Sequence, residues 1–283
     1  MAEVIVLADE SLEGAELVGV TSLSGFDLDV EVASEMGQVA FKSRDIHGNR
    51  KTAQYLVHGE EPAVVAEHRV DRVMRDAGLL NQIARRALVV EADVSQRSQV
   101  ELMFDRVEKE LGPVDVLVNN AGIETIVPFL ELTDQQWSDV VNVDLRGEWI
   151  CCQVFCRLAV AAGRPGSIIN IGSIQAGKVL PGRTHYAPAK LAIEALTRNV
   201  SAEMGAFGIR VNCIHPGLIE TPMVDWVLNH PDPSVLPGVV AQISLGRTGQ
   251  PREVGTVAAF FASEEARYVT GQSIYVDGGW VGK

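Results

Sequence analysis

From Arg86 onward, short runs of β-branched and other apolar residues alternate with longer stretches whose apolar positions recur every three or four residues. Ala87–Val90 predicts a strand. Gln99–Glu110 predicts a helix, with Val100, Met103, Phe104 and Val107 on one face. Val114–Val118 is apolar throughout and bounded by Gly112-Pro113 and Asn119-Asn120, as expected of a strand buried on both sides. Trp137 to Val160 reads as a long helix, Ser167–Ile171 as a strand and Ala187–Ala206 as a helix. Arg210–Ile214 reads as a strand, Glu253–Ala262 as a helix and Ser273–Val276 as a last strand. Buried strands separated by helices build βαβ units, so the fold class expected is α/β, a doubly wound parallel sheet. No repeat or flexible linker divides the chain, and a single domain spanning 1–283 is expected. Thr221–Pro251 breaks the alternation, with four prolines between Pro222 and Pro237. An irregular stretch of that length inside a compact domain predicts a substrate loop.

Composition narrows the class. The 283 residues are 47% hydrophobic and 22% charged, enough apolar material for a sizeable core and too much for a disordered or collagen-like chain. The net charge of −13 works against nucleic acid and anionic membrane surfaces as partners. Cys151, Cys152 and Cys156 fall in one apolar stretch, apart from Cys213, and no Cys-x-x-Cys pair occurs. Neither a disulfide framework nor a metal site is expected. Met1–Glu10 lacks the basic segment of a signal peptide, and no apolar run approaches the roughly 18 residues of a membrane span. A cytoplasmic protein is expected.

The candidate chemistry lies in the second half. Tyr186 and Lys190 are four apart at the start of a predicted helix and share a face. Ser173 follows the predicted strand Ser167–Ile171, at the carboxyl end, where parallel sheets bind ligands. An ammonium beside a phenol stabilises the phenolate, so Tyr186 is a candidate for proton exchange with an alcohol or carbonyl oxygen that Ser173 holds. Taken alone, Tyr-x-x-x-Lys is common by chance.

The surrounding residues add context. Asn119-Asn120-Ala121-Gly122 follows one strand, Asp93 another and Pro216-Gly217 a third, and the chain closes on Gly271-Gln272 and Val276-Asp277-Gly278-Gly279. In this order and spacing, from about Arg86 to Trp280, the chain resembles the short-chain dehydrogenase/reductase family. The resemblance implies a Rossmann fold and an NAD(P)-dependent oxidoreductase interconverting a secondary alcohol and a ketone. Tyr186 would be the general acid/base, Ser173 the donor to the substrate oxygen, and Lys190 both a tuner of the phenol and a ligand of the ribose. Asp93 and Val94 would meet the adenine. Asn119, Ala121 and Gly122 would line the cofactor cleft, and Pro216, Gly217, Ile219 and Thr221 would border the nicotinamide. For the glycines and prolines a plain turn is the alternative. The resemblance also implies a homotetramer built on helices such as Trp137–Val160 and Ala187–Ala206.

Residues 1–85 depart from the family pattern. Its Thr-Gly-x-x-x-Gly-x-Gly loop lets backbone amides approach a pyrophosphate. The best gapless register sets Val18–Gly25 against it, with Gly19 and Gly25 on the outer glycines and Leu23 in place of the middle one. That register puts Val32-Ala33 at the end of a helix and Val39–Arg44 on the second strand, and an insertion is expected around Ile46–Glu61. Yet Phe26–Val32 alternates with period two, a strand signal. That register ends the second strand on Ser43-Arg44, preceded by Lys42, and basic groups there favour a 2′-phosphate, hence NADP over NAD; the alternative is Arg44 as a solvated charge at a strand end. Farther on, Asp144 occupies the position where the family carries a relay Asn, with Asn142 two residues earlier. Either Asp144 carries the relay or a local helix shift brings Asn142 to it. Gln175 and His185 offer polar contacts to a polyol or sugar, whereas Val179 and Leu180 would suit an apolar substrate. Two other readings fit the same residues: a non-catalytic relative with impaired cofactor binding, and a lyase or epimerase using bound NAD.

Overall fold

A computed structural model of the chain describes residues 2–8, 16–22, 26–33, 38–45, 50–56 and 86–282. The alternation read from Arg86 onward becomes a regular series of elements. Strand β6 (Arg86–Ala92) precedes helix α1 (Arg97–Glu110), and β7 (Val116–Asn119) precedes α2 (Asp134–Val140). After α2 the helix continues through a π-helical segment, Val141–Gly147, into α3 (Glu148–Ala161). Then come β8 (Gly166–Ile171), α4 (Tyr186–Met204) and β9 (Ile209–Pro216). The stretch expected as a substrate loop carries two short helices, α5 (Asp225–Leu228) and α6 (Val235–Val240), before α7 (Pro251–Ala262) and β10 (Ser273–Val276).

The earlier strands are β1 (Ala2–Ala8), β2 (Glu16–Ser22), β3 (Phe26–Ala33), β4 (Gln38–Asp45) and β5 (Arg50–Leu56). Two sheets result, a seven-stranded one in the order β6-β1-β2-β7-β8-β9-β10 and a three-stranded one in the order β3-β4-β5. From β2 to β10 the large sheet is parallel, with Leu17–Val20 opposite Val116–Asn119 and Val116–Asn119 opposite Ser167–Asn170. Strand β1 runs antiparallel to both β2 and β6.

Three expectations for the first 85 residues are corrected here. Gly19 lies inside β2, opposite Val118 on one side and Ile5 on the other, rather than in a turn after the strand. The segment Phe26–Ala33 is a strand and not a helix, as its period-two alternation requires. Val39–Arg44 belongs to the three-stranded sheet, where Arg44 stands opposite Asp27 and Arg50, so it is not the second strand of the large sheet. The place beside β2 is taken by β1, which an antiparallel pairing joins through a short connection. Gly25 and Leu23 lie outside the described residues, as does the expected insertion apart from β5.

Alternate residues of the parallel strands face opposite layers. Ile168 packs with Phe104, Val107, Ile150 and Phe155 from α1 and α3, while its neighbour Ile169 packs with Ile214 and Phe261 beneath α7. Helices on both faces of a parallel sheet put its carboxyl edge, where β7, β8 and β9 end, in reach of a ligand. Among the described residues no helix is long and apolar enough to cross a membrane.

Candidate active site

Ser173 stands two residues beyond the end of β8, 8% exposed. Its backbone N–H donates to His215 Nδ1 at 3.1 Å, and its hydroxyl accepts from the Gln175 N–H at 3.2 Å. His215 is buried near the end of β9, stacked on Tyr275 with ring centres 4.8 Å apart. Its Nε2 lies 3.6 Å from a Glu194 carboxylate oxygen. Burial lowers the His215 pKa, so the ring is neutral, and with Nδ1 accepting, the proton belongs on Nε2, facing Glu194. A Cβ on Gly172 would sit 2.3 Å from His215 Nδ1, so only glycine leaves room for this support beneath Ser173.

Tyr186 opens α4, and Lys190 follows one turn later, both buried. The Lys190 ammonium lies 5.7 Å from the centre of the Tyr186 ring and donates to the Ile171 carbonyl at 3.0 Å. It also pairs with Asp144 at 3.3 Å. Asp144 is fully buried and its other oxygen accepts the Ile123 N–H at 2.9 Å. The wide π-helical turn carries Asp144 to this position, and such turns recur at functional sites. Asn142 is exposed on the same segment, so Asp144 is the residue that meets Lys190.

The charges shape one another. Burial works against the Lys190 ammonium, but Asp144, Tyr186 and Glu148 outweigh it and hold its pKa above the usual value. Burial pushes the Tyr186 phenol up; Lys190 opposes this, while Glu124 and Asp144 add to it. The phenol therefore keeps its proton at neutral pH. Burial also raises the Asp144 carboxyl, against the pull of Lys190.

Glu148 was not singled out from the sequence. It lies one turn beyond Asp144, 2% exposed, with no side chain hydrogen-bonded to its carboxyl and only the Ile171 backbone N–H directed at it. Burial holds its pKa well above the carboxylate range, with Lys190 opposing and Asp144 adding. A carboxyl with a raised folded pKa binds more protons in the folded chain, so stability falls as pH rises from the ordinary carboxylate value toward the raised one. Replacing Glu148 with Leu removes a buried carboxyl that has no side-chain partner. The variant is expected to be more stable at pH 7 by about 1–3 kcal/mol, with a flatter pH dependence, in urea denaturation between pH 5 and pH 8.

The residues expected around a nucleotide are distributed along the same edge. Asp93 follows β6 and accepts from Ser95, and Val94 is buried against Gly147. Asn119 donates to Asn170 at 2.9 Å, its Oδ1 buried without a partner, and Ala121 is buried beside it. A Cβ on Gly122 would meet Asp144 at 3.1 Å and the Lys190 ammonium at 3.3 Å, so this glycine keeps the approach to Lys190 clear. Pro216 ends β9, the Gly217 N–H donates to the Val276 carbonyl, Ile219 is buried, and Thr221 is half-buried at the start of the stretch that carries α5 and α6. The nicotinamide half of a dinucleotide fits these residues: an open backbone at Gly122 beside a buried ammonium, and an orphaned acceptor on Asn119. Gly19, paired within β2, supplies no pyrophosphate turn, and Arg44 is in the other sheet.

A doubly wound sheet with Ser173, Tyr186 and Lys190 at its carboxyl edge defines a Rossmann-fold oxidoreductase using NAD(P). The family model described as enoyl-(acyl carrier protein) reductase matches residues 50–281. The chain belongs to the short-chain dehydrogenase/reductase family. It is 33% identical over 250 residues to a 3-oxoacyl-(acyl-carrier-protein) reductase of Thermotoga maritima, covering 87% of this chain and 98% of that one. Among solved structures, it resembles a gluconate 5-dehydrogenase from Burkholderia cenocepacia in complex with NADP and tartrate. The TM-score is 0.69 and the identity 30%, over 78% of this chain and 86% of the other. It also resembles the aldohexose dehydrogenase of Thermoplasma acidophilum, with TM-score 0.64 and 31% identity over 69% of this chain and 78% of the other.

Proposed function

We propose that this protein interconverts a secondary alcohol and a ketone, with Tyr186 moving the proton. The observation that carries the reading is the burial of Ser173, Tyr186 and Lys190 together at the carboxyl edge, with Asp144 paired to Lys190. A bound nicotinamide supplies or accepts the hydride. Tyr186, kept as the protonated phenol, donates to the carbonyl oxygen during reduction and takes the proton back during oxidation. Ser173, fixed through its backbone by His215, hydrogen-bonds the same oxygen. Lys190 stabilises the phenolate that reduction leaves. A non-catalytic relative would have no need of this arrangement.

NADP is the nucleotide proposed, since it is bound in the Burkholderia neighbour; Arg44 no longer argues for it. A homotetramer is proposed as well, with Trp149 on α3 and Leu191 on α4 exposed at 40% and 49%. Titration of the purified protein with NADPH and NADH, followed by nicotinamide fluorescence, tests the reading. Micromolar binding of NADPH, tighter than NADH, is expected; no binding of either up to millimolar concentration by folded protein would overturn it.

A further inference from the structure

The wall beside Ser173 and Tyr186 is made of polar side chains that satisfy one another only in part. Arg183, 6% exposed, pairs through Nε with the Glu124 carboxylate. Gln175 Nε2 donates to the same Glu124 oxygen at 3.0 Å. His185, directly before Tyr186 and fully buried, meets Thr125 Oγ1 at 2.7 Å through Nε2. Trp226 of α5 lies over the Arg183 guanidinium at 4.9 Å, bringing the substrate loop onto this wall. Gln175 Oε1 and His185 Nδ1 are buried without a hydrogen-bond partner. Of the apolar candidates, Val179 is 91% exposed, and Leu180 packs in the cluster that holds Trp280.

The donor and acceptor balance selects a ligand. Glu124 cancels the Arg183 charge, so an anionic substrate finds no free cation and would meet a carboxylate. Gln175 Oε1 only accepts, and Glu124 is acceptor-only when ionised. Gln175 Oε1 is an acceptor left unmet, and His185 Nδ1 donates or accepts according to its tautomer; a hydroxyl, which can do both, satisfies either. These wall residues flank the reacting position, since Gln175 is bonded to Ser173, His185 adjoins Tyr186, and the charge of Glu124 reaches the Tyr186 phenol.

We propose that the substrate is a neutral polyhydroxylated compound, a sugar or polyol, whose hydroxyls beside the reacting carbon are bound by Glu124, Gln175 and His185. Arg183 is a positioning residue that holds the Glu124 carboxylate. The proposal rests on the alcohol–ketone reading for the reacting carbon alone. A sugar acid would bring its carboxylate against Glu124, and a long acyl chain would leave the acceptors unmet.

The test compares D-glucose, L-arabinose and xylitol with gluconate and cyclohexanol, by calorimetric binding with and without NADP+ and by NADP+ reduction. A neutral polyol is expected to bind and to be oxidised with kcat/KM at least tenfold above gluconate and cyclohexanol. Glu124→Gln should weaken its binding by roughly 10- to 100-fold, the range for a hydrogen bond to a charged group. Gln175→Met, which leaves the Arg183–Glu124 pair in place, should also weaken it and covers the case in which Glu124→Gln fails to fold. Polyol binding that depends on Glu124 without NADP+ reduction would uphold the substrate class and overturn hydride transfer. Oxidation of cyclohexanol or gluconate with no binding of any polyol would overturn the substrate class and uphold hydride transfer. Polyol binding unchanged in both variants, or no binding and no turnover of any probe, would also overturn the proposal.

Discussion

Tyr186→Phe is expected to lower kcat by about 10²- to 10⁴-fold, the usual contribution of a positioned proton donor, while leaving the thermal melt and the circular dichroism of the protein unchanged. The ring of Tyr186 packs with Val140 and Ala189, and phenylalanine keeps that packing. Only the hydroxyl is lost, and with it the group that Ser173 and Lys190 surround. Stopped-flow or steady-state assays with the preferred nucleotide would read the loss directly. Activity within tenfold of the parent protein would remove Tyr186 from the chemistry.

Lys190→Met is expected to cost both activity and stability. The ammonium is the only cation paired with Asp144 among the described residues, and Asp144 is fully buried. Removing one partner of a buried pair leaves an uncompensated charge, at a cost of about 3–5 kcal/mol. Part of that cost is relieved when Asp144 takes up a proton. Burial already raises the Asp144 carboxyl, and loss of Lys190 raises it further. The folded variant then binds more protons than the unfolded chain, so its stability falls as pH rises above the ordinary carboxylate range. Urea denaturation at pH 5 and pH 8 should show the larger deficit at pH 8. Adding Asp144→Asn to Lys190→Met should recover most of that deficit without restoring turnover, because the phenol still lacks its ammonium.

The chain from Arg86 onward was legible because its signals are local. Val116–Val118 and Ile168-Ile169 are short apolar stretches with polar or glycine residues at their ends, and the one-turn spacing of Tyr186 and Lys190 fixes their common face. The first 85 residues were harder. A family register placed Val39–Arg44 beside the central strand, whereas the alternation in Phe26–Val32 pointed to a strand, and the local pattern agreed with the structure. The site's supporting residues were hidden for another reason. Glu124 and Arg183 are 59 positions apart, Ser173 and His215 42 apart, and nothing in one segment announces its partner in the other. Glu148 was hidden because a charged residue one turn beyond Asp144 reads as a solvated face until its burial is seen.

The position of β2 bears on how the chain acquires its shape. This strand lies inside the large sheet, and in chain order its parallel partner β7 follows only after β3 to β6 and α1. Until Val116–Asn119 has been made, one side of β2 displays unpaired backbone groups, the kind of edge that templates incorrect association. Helices on either side of the sheet form from near neighbours in sequence, but this pairing must close a loop spanning more than a third of the molecule. The topology therefore places a long-range strand docking, and not helix formation, at the slow step of folding.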